Sequence, residues 1–239
     1  MFDKRCRTGV ERGLRPVGSG LGKAGITPDQ LTALGVLISA LAALAVADGH
    51  PLVGALLLGA SAIPDLLDGA VAKATGKSSP RGAFFDSVSD RVSDSLVLGG
   101  VAWFLASHHG SHAALLPFAV LAASNLVSYE RARAESLGFT ARGGLMERAE
   151  RMILLGLGMA FTGFLLPALW LMLVLTVLTA GHRFVMVWRQ ASAPQRTADD
   201  RPRNRWRGWR PNEGFAPRPR RSAATGGWRE RTPPRRPRG

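Results

Sequence analysis

Long uncharged stretches alternate with short basic or acidic segments along this chain. Residues 31–47 carry no charge and read as a membrane helix, a little under the roughly 20 residues needed to span. A second apolar segment runs from Pro51 to about Ala72 and ends in Asp65 and Asp68. A third runs from about Ala83 to Ser107, with Asp86, Asp90, Arg91 and Asp94 in its first half, and a fourth covers about 113–129. Residues 152–180 form an uncharged run of 29. At ~1.5 Å per residue this is about 44 Å of helix, more than the roughly 30 Å hydrocarbon core. Gly163 and Pro167 lie in its middle, and both residue types weaken a helix interior. The run therefore predicts two helices joined by a tight turn; one long tilted helix is the alternative. The pattern predicts an all-α integral membrane protein with six transmembrane helices.

Charge supports that count and orients it. Lys4, Arg5, Arg7, Arg12, Arg15 and Lys23 precede the first helix. Lys73, Lys77 and Arg81 follow the second, and Arg131, Arg133, Arg142, Arg148 and Arg151 follow the fourth. The opposite turns, near Asp48–Leu52, Ser107–His112 and Thr162–Pro167, hold no Lys or Arg. This asymmetry predicts a multi-pass protein of the cell membrane with both termini in the cytoplasm. Residues 1–24 are too charged to span. Phe2, Val10, Leu14, Val17 and Leu21 suggest an amphipathic helix on the membrane surface, and no secretory leader is recognisable.

Residues 193–239 differ from the rest, with 14 arginines against four acidic residues, a net of +10 out of the chain's +14. Pro and Gly are frequent there, apolar periodicity is absent, and the segment reads as a disordered basic tail. Its arginines with Trp206, Trp209 and Trp228 suit anionic lipid headgroups ahead of nucleic acid; a solvated topogenic tail is the alternative. Three domains result: a surface helix over 1–24, a membrane domain over 25–192 and the tail over 193–239. The single cysteine, Cys6, excludes an intramolecular disulfide and a cysteine-based metal site.

Ionisable groups inside membrane segments are costly and point to function. Asp65 and Asp68 are three apart, and Asp86 and Asp90 four apart, so each pair shares one helix face. If two such faces converge, hard cations relieve the repulsion among the carboxylates, and all-oxygen ligation favours Mg²⁺ or Mn²⁺. Gly69 and Gly82 sit beside the pairs and permit close approach by a ligand or another helix. Lys73, Lys77 and Arg81, in the loop between the pairs, suit phosphate. The alternative is four acids paired with arginines to hold helices together. His108, His109 and His112 lie in the predicted outer turn, far from these acids. Asp94 continues the Asp86/Asp90 face and is expected to pair with Arg91 or a basic loop, and Glu147 and Glu150 to orient arginines.

The whole pattern is Asp65-x2-Asp68-Gly69-x2-Ala72-Lys73-x8-Gly82-x3-Asp86-x3-Asp90. It resembles the signature of the CDP-alcohol phosphatidyltransferases, in which Arg stands in the position of Lys73; every other fixed position and every gap agrees. Thr27-Pro28-Asp29-Gln30-Leu31-Thr32 is similar to the family's lead-in to its first membrane helix. Ser128-Tyr129-Glu130-Arg131-Ala132-Arg133-Ala134-Glu135 and Glu147-Arg148-Ala149-Glu150-Arg151 resemble the actinobacterial phosphatidylinositol-phosphate synthase branch, which has Lys in the position of Arg131. The resemblance covers roughly residues 20–190 and excludes the tail.

It implies a six-helix, usually dimeric, membrane enzyme that displaces CMP from a CDP-linked lipid with an alcohol. In that branch the lipid is CDP-diacylglycerol and the alcohol 1D-myo-inositol 3-phosphate. Carried over by motif, Asp65 and Asp86 would bridge two metal ions, Mg²⁺ or Mn²⁺. Asp68 would hold one ion and Asp90 the other, and Asp90 would also deprotonate the attacking hydroxyl. Asp29, Gln30, Leu31, Thr32, Gly69, Lys73 and Ser79 would contact the CDP-lipid, and Arg131, Arg151 and Arg183 the acceptor phosphate. Glycerol 3-phosphate is the alternative acceptor. A divalent-cation transporter using the intramembrane aspartates is the alternative of a different class, and a non-enzymatic scaffold the third.

Overall fold

The computed structural model describes residues 16–76, 79–141 and 143–192. Among them, residues 16–23 are helical and six α-helices follow: α1 Pro28–Ala47, α2 Pro51–Thr75, α3 Pro80–His109, α4 Leu115–Ser136, α5 Arg148–Ala160 and α6 Thr162–Ser192, with a 3₁₀ turn over Ser111–Ala114. No strand occurs among the described residues.

The first three helices each begin on proline, whose fixed φ suits the first turn and whose missing N–H would have no intrahelical partner there. Thr27 caps α1 in a reciprocal box. Its Oγ1 accepts from the Gln30 amide at 3.3 Å, and Gln30 Oε1 accepts from the Thr27 amide at 2.9 Å. Ser79 caps α3, accepting from the Gly82 amide at 3.1 Å. Gly76, at φ 66°, ends α2 in the left-handed conformation.

Helix α1 is the hub of the first half. It packs against both α2 and α3, which meet it far more closely than they meet each other. Gly100 of α3 lies against the Ala43 backbone of α1, where a Cβ would overlap it. The gap so left between α2 and α3 opens as a cleft. In the second half α6 packs against α4 and α5, and α5 returns to α2. The core runs through Val46, Val97, Val101, Leu105, Leu155, Met159, Leu169 and Met172. The outside is equally apolar: Leu56 is 69% exposed and Trp103 66%. Such a surface suits lipid rather than water.

Four helices among the described residues are long and apolar enough to cross a bilayer: α1, α2, α4 with its 3₁₀ lead, and α6. The chain is a helical membrane protein. The two other expected spans fall short of that measure. In α3 the charges from Arg81 to Asp94 occupy the first half, and α5 has only 13 residues. The long uncharged run does divide into two helices, but not at Gly163 and Pro167. It breaks at Phe161 (φ −119°, ψ 87°), and Pro167 is carried inside α6. Close packing of Gly158 on Leu165 and Ala168 brings the two helices together across that turn.

Of the expected surface helix, Phe2, Val10 and Leu14 lie outside the described residues. Within 16–23, Val17 is exposed while Gly18 is buried against the Ala70 backbone of α2. This part therefore docks on protein through a glycine. Helix α6 ends at Ser192, and the basic tail lies outside the described residues.

Candidate active site

The spacing of the four aspartates places them as helical periodicity requires. Asp65 and Asp68 lie on α2, and Asp86 and Asp90 face them from α3. One carboxylate oxygen from each of Asp65, Asp68 and Asp86 lies within 4.8 Å of the others. Thr32 of α1 orients this group, its Oγ1 donating to Asp68 Oδ2 at 2.6 Å. Asp90 stands beside it, its Oδ2 3.4 Å from Arg91 Nη1. A cleft lined by Thr32, Ser39, Ser61, Asp65, Asp90 and Arg148 continues into the bundle. Three converging carboxylates with no sulfur or imidazole among them fit a hard divalent cation.

The strongest cation already in the cleft is Arg148, at the first position of α5. Its Nη1 lies 3.1 Å from Asp65 Oδ2 and 2.9 Å from Asp90 Oδ1, and its Nε 3.3 Å from Asp94 Oδ1. Asp94 is buried one turn beyond Asp90 and also meets Arg151 Nη2 at 3.6 Å. Asp94 thus pairs with two arginines in the first turn of α5, neither with Arg91 nor with the loop that leads into that helix.

That segment is fastened from α6. Thr179 Oγ1 accepts from the amides of Leu145 at 3.2 Å and Met146 at 3.1 Å. Arg183 donates from Nε to the Gly143 carbonyl at 2.9 Å and from Nη1 to the Val127 carbonyl at 3.1 Å, and its Nη2 is 3.6 Å from Glu147. Gln190 bonds Thr140 at its amide, carbonyl and hydroxyl. Gly144, at φ 153°, lies against the Thr179 side chain where a Cβ would overlap it.

The residues expected at the CDP-lipid have varied surroundings. Asp29 pairs with Arg81 at 3.2 Å, Gln30 serves the helix cap, and Leu31 is buried. Gly69 is exposed with open space where a Cβ would stand, so room for a ligand, rather than a packed helix, lies beside it. Lys73 sits in the last turn of α2 and Ser79 caps α3. The three expected phosphate-binding arginines divide into two groups. Arg131, half-exposed and bonded to Glu135 at 3.1 Å, lies near enough to Arg183 for their like charges to repel. Arg151, 4% exposed, sits instead with Asp94 and donates to the Met146 carbonyl at 3.4 Å.

The profile of the CDP-alcohol phosphatidyltransferase family matches residues 25–188. The chain belongs to that family. It is a transferase of phospholipid biosynthesis, which decides against the transport and scaffold alternatives. Similar curated proteins include the phosphatidylinositol phosphate synthases of Corynebacterium glutamicum, 34% identical over 77% of this chain and 88% of that protein, and of Mycobacteroides abscessus, 37% identical over 70% and 80%. The archaetidylinositol phosphate synthase of Pyrococcus horikoshii is 39% identical over 66% and 81%. Among solved structures, the Mycobacterium tuberculosis phosphatidylinositol phosphate synthase with CDP-DAG bound superposes with a TM-score of 0.71 at 34% identity, covering 78% of this chain and 99% of that one. The same enzyme in complex with manganese and citrate gives 0.71 at 33%, covering 77% and 93%.

In this transferase, Arg148 is the site residue the spacing argument passed over. The signal was present: Arg148 and Arg151 stand three apart, the interval that joins Asp65 to Asp68, and a basic helix face of that kind needs an acidic one opposite.

Proposed function

We propose that this transferase moves the phosphatidyl group from CDP-diacylglycerol to 1D-myo-inositol 3-phosphate and releases CMP. The inositol hydroxyl oxygen forms a bond to the lipid-linked phosphorus, the bond from that phosphorus to the CMP oxygen breaks, and the hydroxyl proton passes to Asp90. The observation that carries the reading is the convergence of Asp65, Asp68 and Asp86 within 4.8 Å, with Asp90 beside them. Two divalent ions, Mg²⁺ or Mn²⁺, bound there would neutralise charge on the attacking and leaving oxygens. Asp65, Asp68, Asp86 and Asp90 would hold them. Thr32 fixes the Asp68 carboxylate.

Asp29, Gln30, Leu31, Thr32, Gly69, Lys73 and Ser79 line the path for the CDP-lipid; the space at Gly69 supports this. For the acceptor phosphate, Arg131 and Arg183 would offer two guanidinium groups to one dianion. Arg183 donates two of its five N–H groups to backbone carbonyls and has an ion pair with Glu147 at 3.6 Å, which leaves further N–H groups for a ligand. Arg151 would reach the acceptor from the Asp94 side. We place all six helices across the membrane with both termini and the cleft at the cytoplasmic face, as the Lys and Arg asymmetry supports, in a homodimer.

The test is the purified chain with CDP-diacylglycerol, Mg²⁺ and a panel of acceptors, followed by lipid mass spectrometry. Phosphatidylinositol phosphate should form with CMP, and free inositol should be a poor acceptor. Equal use of free inositol, or preference for glycerol 3-phosphate, overturns the acceptor assignment and leaves the family chemistry standing.

A further inference from the structure

Arg148 stands where the cleft needs positive charge, and it is held from behind. One nitrogen, Nη1, lies 3.1 Å from Asp65 and 2.9 Å from Asp90, and so ties α2 to α3 across the gap that α1 leaves between them. The other end, Nε, is 3.3 Å from Asp94, which lies outside the four-aspartate motif. Asp65 Oδ2 accepts from Nη1 and Asp90 Oδ1 lies in ion-pair contact with it, and a divalent ion on Asp65 and Asp90 would need the same space. A guanidinium and a divalent cation cannot share it, since like charges a few ångströms apart repel strongly where water is scarce. Release from Asp65 and Asp90 would not strand the guanidinium, because Asp94 remains its partner. The other charged neighbours do not duplicate this place. Arg91 meets Asp90 on the other oxygen and donates to the Ser87 carbonyl of its own helix, and Arg151 meets Asp94.

We propose that Arg148 is a tethered counter-cation that a divalent ion must displace from Asp65 and Asp90, with Asp94 retaining it, so that this pair sets the metal affinity of the cleft. This rests on the metal reading of the aspartates given above. Arg148 and Asp94 are then positioning residues whose influence is exerted on the ion.

The test is a Mn²⁺ titration of the full chain in detergent, followed by electron paramagnetic resonance. Arg148→Gln removes the competing charge and should bind Mn²⁺ about tenfold or more tightly than the unaltered protein. Arg148→Lys keeps the charge without the fork that engages three carboxylates and should bind with intermediate affinity. Asp94→Asn takes away the retreat and should weaken binding, a direction that a purely structural ion pair gives no reason to expect. Unchanged or weaker affinity in Arg148→Gln overturns the proposal. Should that variant fail to fold, unchanged or weaker affinity in Arg148→Lys overturns it equally. Asp65→Asn separates the two levels. If it leaves Mn²⁺ binding intact, the metal reading itself falls and the proposal with it; if it abolishes binding while Arg148→Gln changes nothing, only the proposal falls.

Discussion

The two sides of the cleft are built by different rules. The acidic side is made of helix faces: Asp65 and Asp68 on α2, Asp86 and Asp90 on α3. Each pair is fixed by the turn of its own helix, whatever packs around it. The basic side is a helix start with the residues that lead into it, held by contacts from residues far along the chain. Thr179 reaches back 33 and 34 positions, Arg183 reaches 40, and Gln190 reaches 50. Damage to the acidic side should therefore strike chemistry directly, and damage to the basic side should act through placement.

The sharpest break in that comparison is Asp90→Asn. The amide has neither the charge for a cation nor the basicity for a proton, and loss of a general base alone lowers rates by about 10²–10⁴. CMP release should fall by at least that range while the protein remains folded in detergent. Turnover above about a tenth of wild type would remove Asp90 from the chemistry.

Arg183→Lys probes the basic side with a smaller expected effect. Lysine keeps the charge but cannot reach the Gly143 and Val127 carbonyls and Glu147 at once, as the guanidinium does. The KM for inositol phosphate should rise about tenfold, the value of roughly one charged hydrogen bond, and the KM for CDP-diacylglycerol should hardly move. A selective rise for the CDP-lipid would reverse the assignment of the two sides.

The same division explains what was legible in the sequence. Helix number followed from apolar run length, and the acidic faces from intervals of three and four, because both are local properties. The turn ending α5 falls at Phe161 rather than near the helix-weakening Pro167. That proline lies near the start of α6, where few preceding carbonyls stand to lose a partner. The role of Arg148 and the splitting of Arg151 from Arg131 and Arg183 were hidden for the opposite reason. Each depends on which distant segment α5 packs against, and no interval along the chain encodes that. Asp94 falls between: its helix face was readable, its partners were not.

The smallest effects come from one turn of α6 and test whether fastening of the loop is specific. Thr176 and Thr179 are both fully buried and three residues apart. Thr179 uses its hydroxyl completely, donating to the Leu175 carbonyl at 2.8 Å and accepting from the Leu145 and Met146 amides. Thr176 Oγ1 has no hydrogen-bond partner among the described residues. Valine has nearly the shape of threonine, so each substitution removes little but the hydroxyl. At 179 it leaves two backbone amides without their acceptor, a penalty of about 1–3 kcal/mol. The protein should melt earlier, with a few-fold rise in the acceptor KM as the segment bearing Glu147 and Arg148 loosens. At 176 it removes a buried polar atom that satisfies nothing, so the melting temperature should stay level or rise and the kinetics should not change. Thermal unfolding of the two variants side by side in detergent decides it. Equal destabilisation would mean that α6 needs both hydroxyls for its own packing, and that the loop is not held by the contact at Thr179.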